Sequence, residues 1–185
     1  MTDPITGKPT GAISRTYLDR HHRKIGKAKS LGGAGGIIRL SPDEDVLQGL
    51  TLAEGLETGL AALSIGLRPV WSTGSNTNMA KFPLLAGVES LTILADHDAA
   101  GAGERAAREV EARWRAAGTE VRILKWEKLG DINDALRQGA AMSSSPEEIL
   151  AHLRMHEIPK GHVQIVAGER GQGWFLEAFA TAVII

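Results

Sequence analysis

From residue 50 onward, short apolar runs alternate with longer amphipathic stretches. Residues 50–53, Leu-Thr-Leu-Ala, predict a strand, and residues 57–65 a helix closed by Gly66. The next strand is predicted over 69–72, Pro-Val-Trp-Ser, followed by a polar loop over 73–78 and a short helix over 79–85. Residues 90–95, Ser-Leu-Thr-Ile-Leu-Ala, are the best candidate for a buried strand. A long helix rich in Ala, Glu and Arg is predicted over 102–117, closed by Gly118, and a fourth strand over 120–125. Strand–helix alternation with short connections predicts an α/β fold, a parallel sheet of about four strands flanked by helices. The segment upstream is irregular or β-rich. Residues 12–19 predict a strand entering a turn at 19–22, and 37–40 a second short strand. Gly32, Gly33, Gly35 and Gly36 lie between them; their spacing is not that of a dinucleotide fingerprint, and they read as a flexible turn.

In such sheets ligands bind outside the carboxyl ends of the strands, and acidic residues stand at those positions. Glu54 and Gly55 follow the first strand, Asp96 and Asp98 the third, and Asp131 and Asp134 the fourth. If the strands are parallel, all three groups emerge at one edge. Each has a plainer reading, since a glutamate after a strand is often a solvated turn residue and Asp-x-Asp is common in loops. His97, between two aspartates, is expected to be hydrogen-bonded elsewhere. Carboxylates brought together repel one another unless a cation neutralises them. An all-oxygen donor set selects Mg²⁺ or Mn²⁺ over zinc, and such ions serve phosphoryl transfer.

Composition narrows the classes. The 185 residues are 43% hydrophobic and 23% charged, enough to build a core. Without cysteine the chain has no disulfide scaffold, thiol nucleophile or cysteine-bearing zinc site. The polar start lacks a signal-peptide pattern and no apolar run reaches membrane-helix length, so a soluble, cytoplasmic protein with no membrane partner is expected. Net charge is −1, but residues 1–40 hold eight basic side chains against Asp3 and Asp19. A basic arm on an acidic body suits a polyanion partner; a solvated loop is the plainer reading.

The combination Glu54-Gly55 and Asp96-His97-Asp98-Ala99-Ala100-Gly101 resembles the Toprim domain. That domain is the catalytic core of bacterial-type primases, type IA and type II topoisomerases and OLD-family nucleases. The matching stretch is 50–136. With Gly11-Ala12-Ile13-Ser14-Arg15-Thr16-Tyr17-Leu18-Asp19 upstream and Asp131-Ile132-Asn133-Asp134-Ala135-Leu136 downstream, the chain is most similar to Toprim proteins of phages and mobile elements, over 11–140. The resemblance implies a basic β-rich extension over 1–49, a Toprim catalytic domain over 50–140, and a helical or apolar appendage over 141–185.

The resemblance also implies catalytic and metal-holding roles for Glu54, Asp96 and Asp98, with Glu54 either a ligand or a general acid/base. Asp131 and Asp134 partly match the acidic pair of primases and join the metal set. Primase-type members commonly carry another acid four residues after the glutamate, where this chain has Thr58; Glu57 points about 100° away on a helix. The arm residues Arg15, Arg23, Lys24, Lys27 and Lys29 would hold template or triphosphate. Ser75 and Asn76 would contact phosphate through hydroxyl and backbone N–H groups, or form a polar turn and helix cap.

The expected function is Mg²⁺- or Mn²⁺-dependent nucleotidyl transfer in DNA replication on a single-stranded DNA template with nucleoside triphosphates. A Toprim nuclease and a non-catalytic nucleic-acid-binding module are the alternatives. A helicase or zinc-binding module on another chain is an expected partner, because this chain supplies neither. The one tyrosine, Tyr17, has no second domain to present it, which sets topoisomerase activity aside. Residues 163–174 have a strand and the glycine spacing of a phosphate loop, but Trp174 and Phe175 stand where Lys and Ser or Thr are required, so ATP binding is not expected. The apolar tail over 175–185 packs on the core, meets a partner or marks a truncated chain.

Overall fold

The apolar runs form the centre of a six-stranded sheet in the computed structural model, which describes residues 1–21, 24–33, 35–126 and 128–141 and three short strands beyond them. Its strands are β3 (Ile38–Arg39), β4 (Gly49–Ala53), β5 (Val70–Ser72), β6 (Ser90–Ala95), β7 (Glu120–Trp126) and β8 (Leu153–His156), in the order β3-β5-β4-β6-β7-β8. The four central strands are mutually parallel and the two edge strands antiparallel to their neighbours. The central strands are buried on both faces, which is why β4, β5 and β6 read as short, mainly apolar runs rather than alternating ones. Strand β7 also buries Arg122, paired with Glu120, and Lys125, paired with Glu104.

Helices cover both faces. Leu52, Ile93 and Ile123 meet α3 (Ala102–Ala116), which buries Ala106, Ala107, Val110 and Trp114, and α2 (Asn76–Ala80), which buries Met79. Phe82 stacks on Trp114 with ring centroids 5.8 Å apart. On the opposite face Ala53, Leu94 and Leu124 meet α1 (Leu56–Ser64) and α4 (Ile132–Ala141) through Ala61, Ala62, Ile132 and Ala135. Small residues bring α1 close to the sheet: a Cβ on Gly59 would stand 3.5 Å from Ala53 Cβ and 3.6 Å from Ser72 Cβ, and 2.5 Å from Leu40 Cδ1 beside them. The chain leaves β4 toward α1 on one face and leaves the adjacent β6 toward α3 on the other. The crevice between the carboxyl ends of β4 and β6 is therefore a topological switch point.

Two expectations need correction. The upstream segment contains a strand the sequence pattern does not predict: β1 (Ala12–Leu18) pairs with β2 (Lys24–Gly32) as an antiparallel hairpin, taking in the first of the four glycines. The helix expected over 79–85 instead spans Asn76–Ala80: the Ser75 hydroxyl accepts the Asn78 amide at 3.3 Å and caps its start, and it ends before Pro83. Among the described residues no helix is long and apolar enough to cross a membrane. Beyond 141 the described residues are β8 and a pair of antiparallel strands, β9 (Gln164–Val166) and β10 (Phe175–Glu177); the glycines of the phosphate-loop-like stretch and the rest of the tail lie outside them.

Candidate active site

Glu54 stands one residue past the end of β4. Its carbonyl accepts from Ser72 Oγ at 3.4 Å and Thr73 Oγ1 at 3.3 Å, so hydroxyls at the end of β5 hold the backbone at this point. Its side-chain atom Oε2 is buried without a hydrogen-bond partner. Burial, and then the charges of Asp98 and Asp131, raise the Glu54 pKa, while the backbone N–H of Asn76 at the start of α2 opposes the rise.

Asp96, one residue past β6, meets the same forces more strongly. Burial first, then Glu54 and Asp131, push its pKa up to about 7, against a hydrogen bond from Thr58. Two residues on, Asp98 behaves oppositely. It spans the first turn of α3, Oδ1 accepting from Ala102 N at 3.1 Å and Oδ2 from Gly103 N at 2.9 Å, and these amides hold its pKa below the ordinary carboxylate range. Two aspartates separated by one residue are thus pushed apart in proton affinity by their surroundings.

Asp131 lies at the start of α4. Its Oδ1 accepts the Asp134 amide at 2.9 Å while Asp134 Oδ2 accepts the Asp131 amide at 3.3 Å, a reciprocal capping box with aspartate in both places. Asp131 Oδ2 also accepts from Thr58 Oγ1 at 2.8 Å, and the same hydroxyl stands 3.4 Å from Asp96 Oδ1. Thr58, four residues after Glu54, therefore links the acids that follow β6 and β7. Their loops are joined a second time by His97. Its backbone exchanges hydrogen bonds with Gly130 at 2.8 and 3.0 Å, and its Nδ1 donates to the carbonyls of Trp126 and Lys128 at 3.0 and 2.8 Å. This nitrogen is committed to the scaffold, in line with the expectation that His97 is hydrogen-bonded elsewhere.

The structure thus brings Glu54, Asp96, Asp98 and Asp131 into one electrostatic group, with Asp134 as the cap partner of Asp131. Arg15 and Lys29 stand exposed on the β1–β2 hairpin. Lys24 and Lys27 are described only as β2 backbone, and Arg23 lies outside the described residues. Ser75 caps α2 and Asn76 turns its backbone N–H toward Glu54, so part of the predicted polar loop is a helix start. Sequence reasoning misses the bridging role of Thr58, although its spacing of four from Glu54 is visible there. It also misses Gly103, where a Cβ would stand 2.7 Å from both Glu54 Oε2 and the Asp96 carbonyl.

The donor set fits a hard divalent cation. It is all oxygen, it includes a buried Glu54 oxygen without a partner, and burial together with mutual repulsion holds Asp96 back from ionising. Among the described residues no three His, Asp or Glu groups already enclose a metal-sized space, with Asp98 and Asp131 turned onto helix amides.

Residues 49–141 match the family described as Toprim domain. Two solved structures are similar to the chain. One, a DNA primase domain from Pseudomonas aeruginosa, is 20% identical with a TM-score of 0.47, over 84% of this chain and 56% of that one. The other, the DnaG catalytic core, is 15% identical with a TM-score of 0.45, over 78% of this chain and 53% of that one. The chain thus spans about half the length of these structures. No curated protein sequence matches it significantly.

Proposed function

The chain belongs to the Toprim domain family, and from that premise we propose that it performs metal-dependent nucleotidyl transfer of the DNA primase kind, within a larger protein or assembly. The observation that carries the proposal is the grouping of Glu54, Asp96 and Asp98 at the switch point. There a buried carboxylate oxygen lacks a partner and a neighbouring aspartate has its pKa raised to about 7.

Glu54, Asp96 and Asp98 would hold Mg²⁺ or Mn²⁺. Held there, such an ion would supply activation of an attacking 3′-oxygen and neutralisation of charge on the α-phosphate. The protein's own contribution is electrostatic preparation. Asp98 is kept ionised by two α3 amides, whereas Asp96, with its pKa raised to about 7, is only partly ionised near neutral pH. Thr58 keeps Asp96 and Asp131 in register. The α2 start turns an amide toward Glu54, and the cations Arg15 and Lys29 are available to template or triphosphate.

The test is incubation with single-stranded DNA and ribo- or deoxynucleotides in Mg²⁺ or Mn²⁺, beside Asp96→Ala. New short products that vanish in the variant are expected. Metal-dependent shortening of the DNA would replace the proposal with a nuclease, and no reaction would contradict transfer by this chain.

A further inference from the structure

The β1–β2 hairpin pairs with no other strand among the described residues, and one of its faces is open. Three cross-strand pairs build that face: Ile13 opposite Leu31, Arg15 opposite Lys29, and Tyr17 opposite Ile25. Their apolar members remain in water, with Ile13 60%, Tyr17 47%, Ile25 55% and Leu31 44% exposed. The Arg15 guanidinium sits 4.8 Å from the centroid of the Tyr17 ring.

We propose that this face binds single-stranded nucleic acid, with Tyr17 as a base-stacking platform and Arg15 and Lys29 as its phosphate-binding groups. The inference rests on the nucleic-acid reading given above and assigns it a surface. Two observations select the occupant. Like charges placed directly opposite each other on a strand pair are destabilising, and Arg15 faces Lys29 at the centre of the face; a polyanion removes that repulsion. The cations are flanked on both sides by apolar pairs, one aromatic. A charged track beside stacking surfaces is what a single strand needs, since its phosphates and base faces are both accessible. A duplex hides its base faces and would engage only the two cations.

The root of the hairpin ties the face to the acidic site. Met1 N donates to Ala12 O at 2.8 Å, and Gly33 N to Gly11 O at 3.2 Å. A Cβ on Gly35 would stand 3.3 Å from Asn78 Oδ1, and one on Gly74 3.3 Å from Met1 Cε. The root thus abuts the β5–α2 connection whose first helical amide faces Glu54.

The test is fluorescence anisotropy of a labelled oligothymidine with the full chain, in EDTA and without nucleotides, so that binding is scored apart from transfer. Single strand should bind more tightly than duplex of equal length. Tyr17→Ala should weaken single-strand binding about tenfold, and Tyr17→Phe should restore it. Removing Arg15 and Lys29 together should flatten the dependence of log K on log salt by about 0.7 for each phosphate no longer neutralised. These side chains are exposed, and unchanged circular dichroism will show that the variants fold. Equal affinity for duplex, or binding indifferent to Tyr17→Ala, would overturn the assignment. So would absence of nucleic-acid binding together with self-association abolished by Ile13→Ser, which would mark a protein-binding face. Single-strand binding without product synthesis would instead contradict nucleotidyl transfer and leave the platform standing.

Discussion

Asp96 and Asp98 differ in environment more than in position, and pH should separate them. Asp96 binds its proton more tightly folded than unfolded. Its contribution to stability is therefore full below its ordinary pKa of 3.8 and is lost as pH rises through about 7. Glu54 shifts in the same direction. Asp98 acts in reverse, its contribution being lost only in acid. In EDTA the melting temperature should fall between about pH 4.5 and 7.5, reflecting on the order of 2 to 3 kcal/mol from Asp96. Asp96→Asn should flatten that fall, and a parent protein equally stable across the range would contradict the assignment. Thr58→Val should cost about 1 kcal/mol in urea unfolding, because it removes the hydroxyl donor shared by two half-buried carboxylates. At this scale Glu54 and Asp96 were legible as strand-end acids, since each follows directly on an apolar strand, and Asp98 through its place two residues after Asp96. The role of Thr58 was not, because a hydroxyl's partners depend on which loops folding brings within its reach.

The elements carry these residues to one place by close approach and capping. Gly103, in the first turn of α3, lies against Glu54 and the Asp96 backbone. Gly→Ala in a helix ordinarily gains up to about 1 kcal/mol. Here Gly103→Ala should instead lose about 1–3 kcal/mol by overpacking, and chemical denaturation will give the sign. Asp134→Ala should cost about 1 kcal/mol through loss of the capping box, measured in the same way. Strands β4 and β6 were legible because burial on both faces leaves mainly apolar residues, and β7 because its apolar residues are β-prone even though Arg122 and Lys125 are buried with them. Strand β2 was not: Ile25, Lys29 and Leu31 lie on an open face, and Gly26, at φ 70°, lies where the register of the hairpin shifts. The start of α2 was hidden for another reason. A run of Ser, Asn and Thr reads equally as loop or cap until the Ser75–Asn78 bond decides it.

For the whole molecule, the reversal of winding between β4 and β6 gathers acids from distant parts of the chain into one crevice. The basic hairpin is rooted on the loop at its border. The parallel arrangement and the site edge followed from strand–helix alternation; β3 was legible as a short strand within 37–40 but its antiparallel place at the sheet edge was not, and β8 had no comparable sequence signal. The central claim is that Glu54 and Asp96 are prepared for a divalent cation. Its most direct test is calorimetric titration of Mn²⁺ into metal-free protein near pH 7, in two buffers of different ionisation enthalpy. A saturable site is predicted, with release of roughly half a proton as Asp96 ionises; binding should weaken in Glu54→Gln, and the proton should disappear in Asp96→Asn. Absence of saturable binding, or binding that neither substitution alters, would contradict the account.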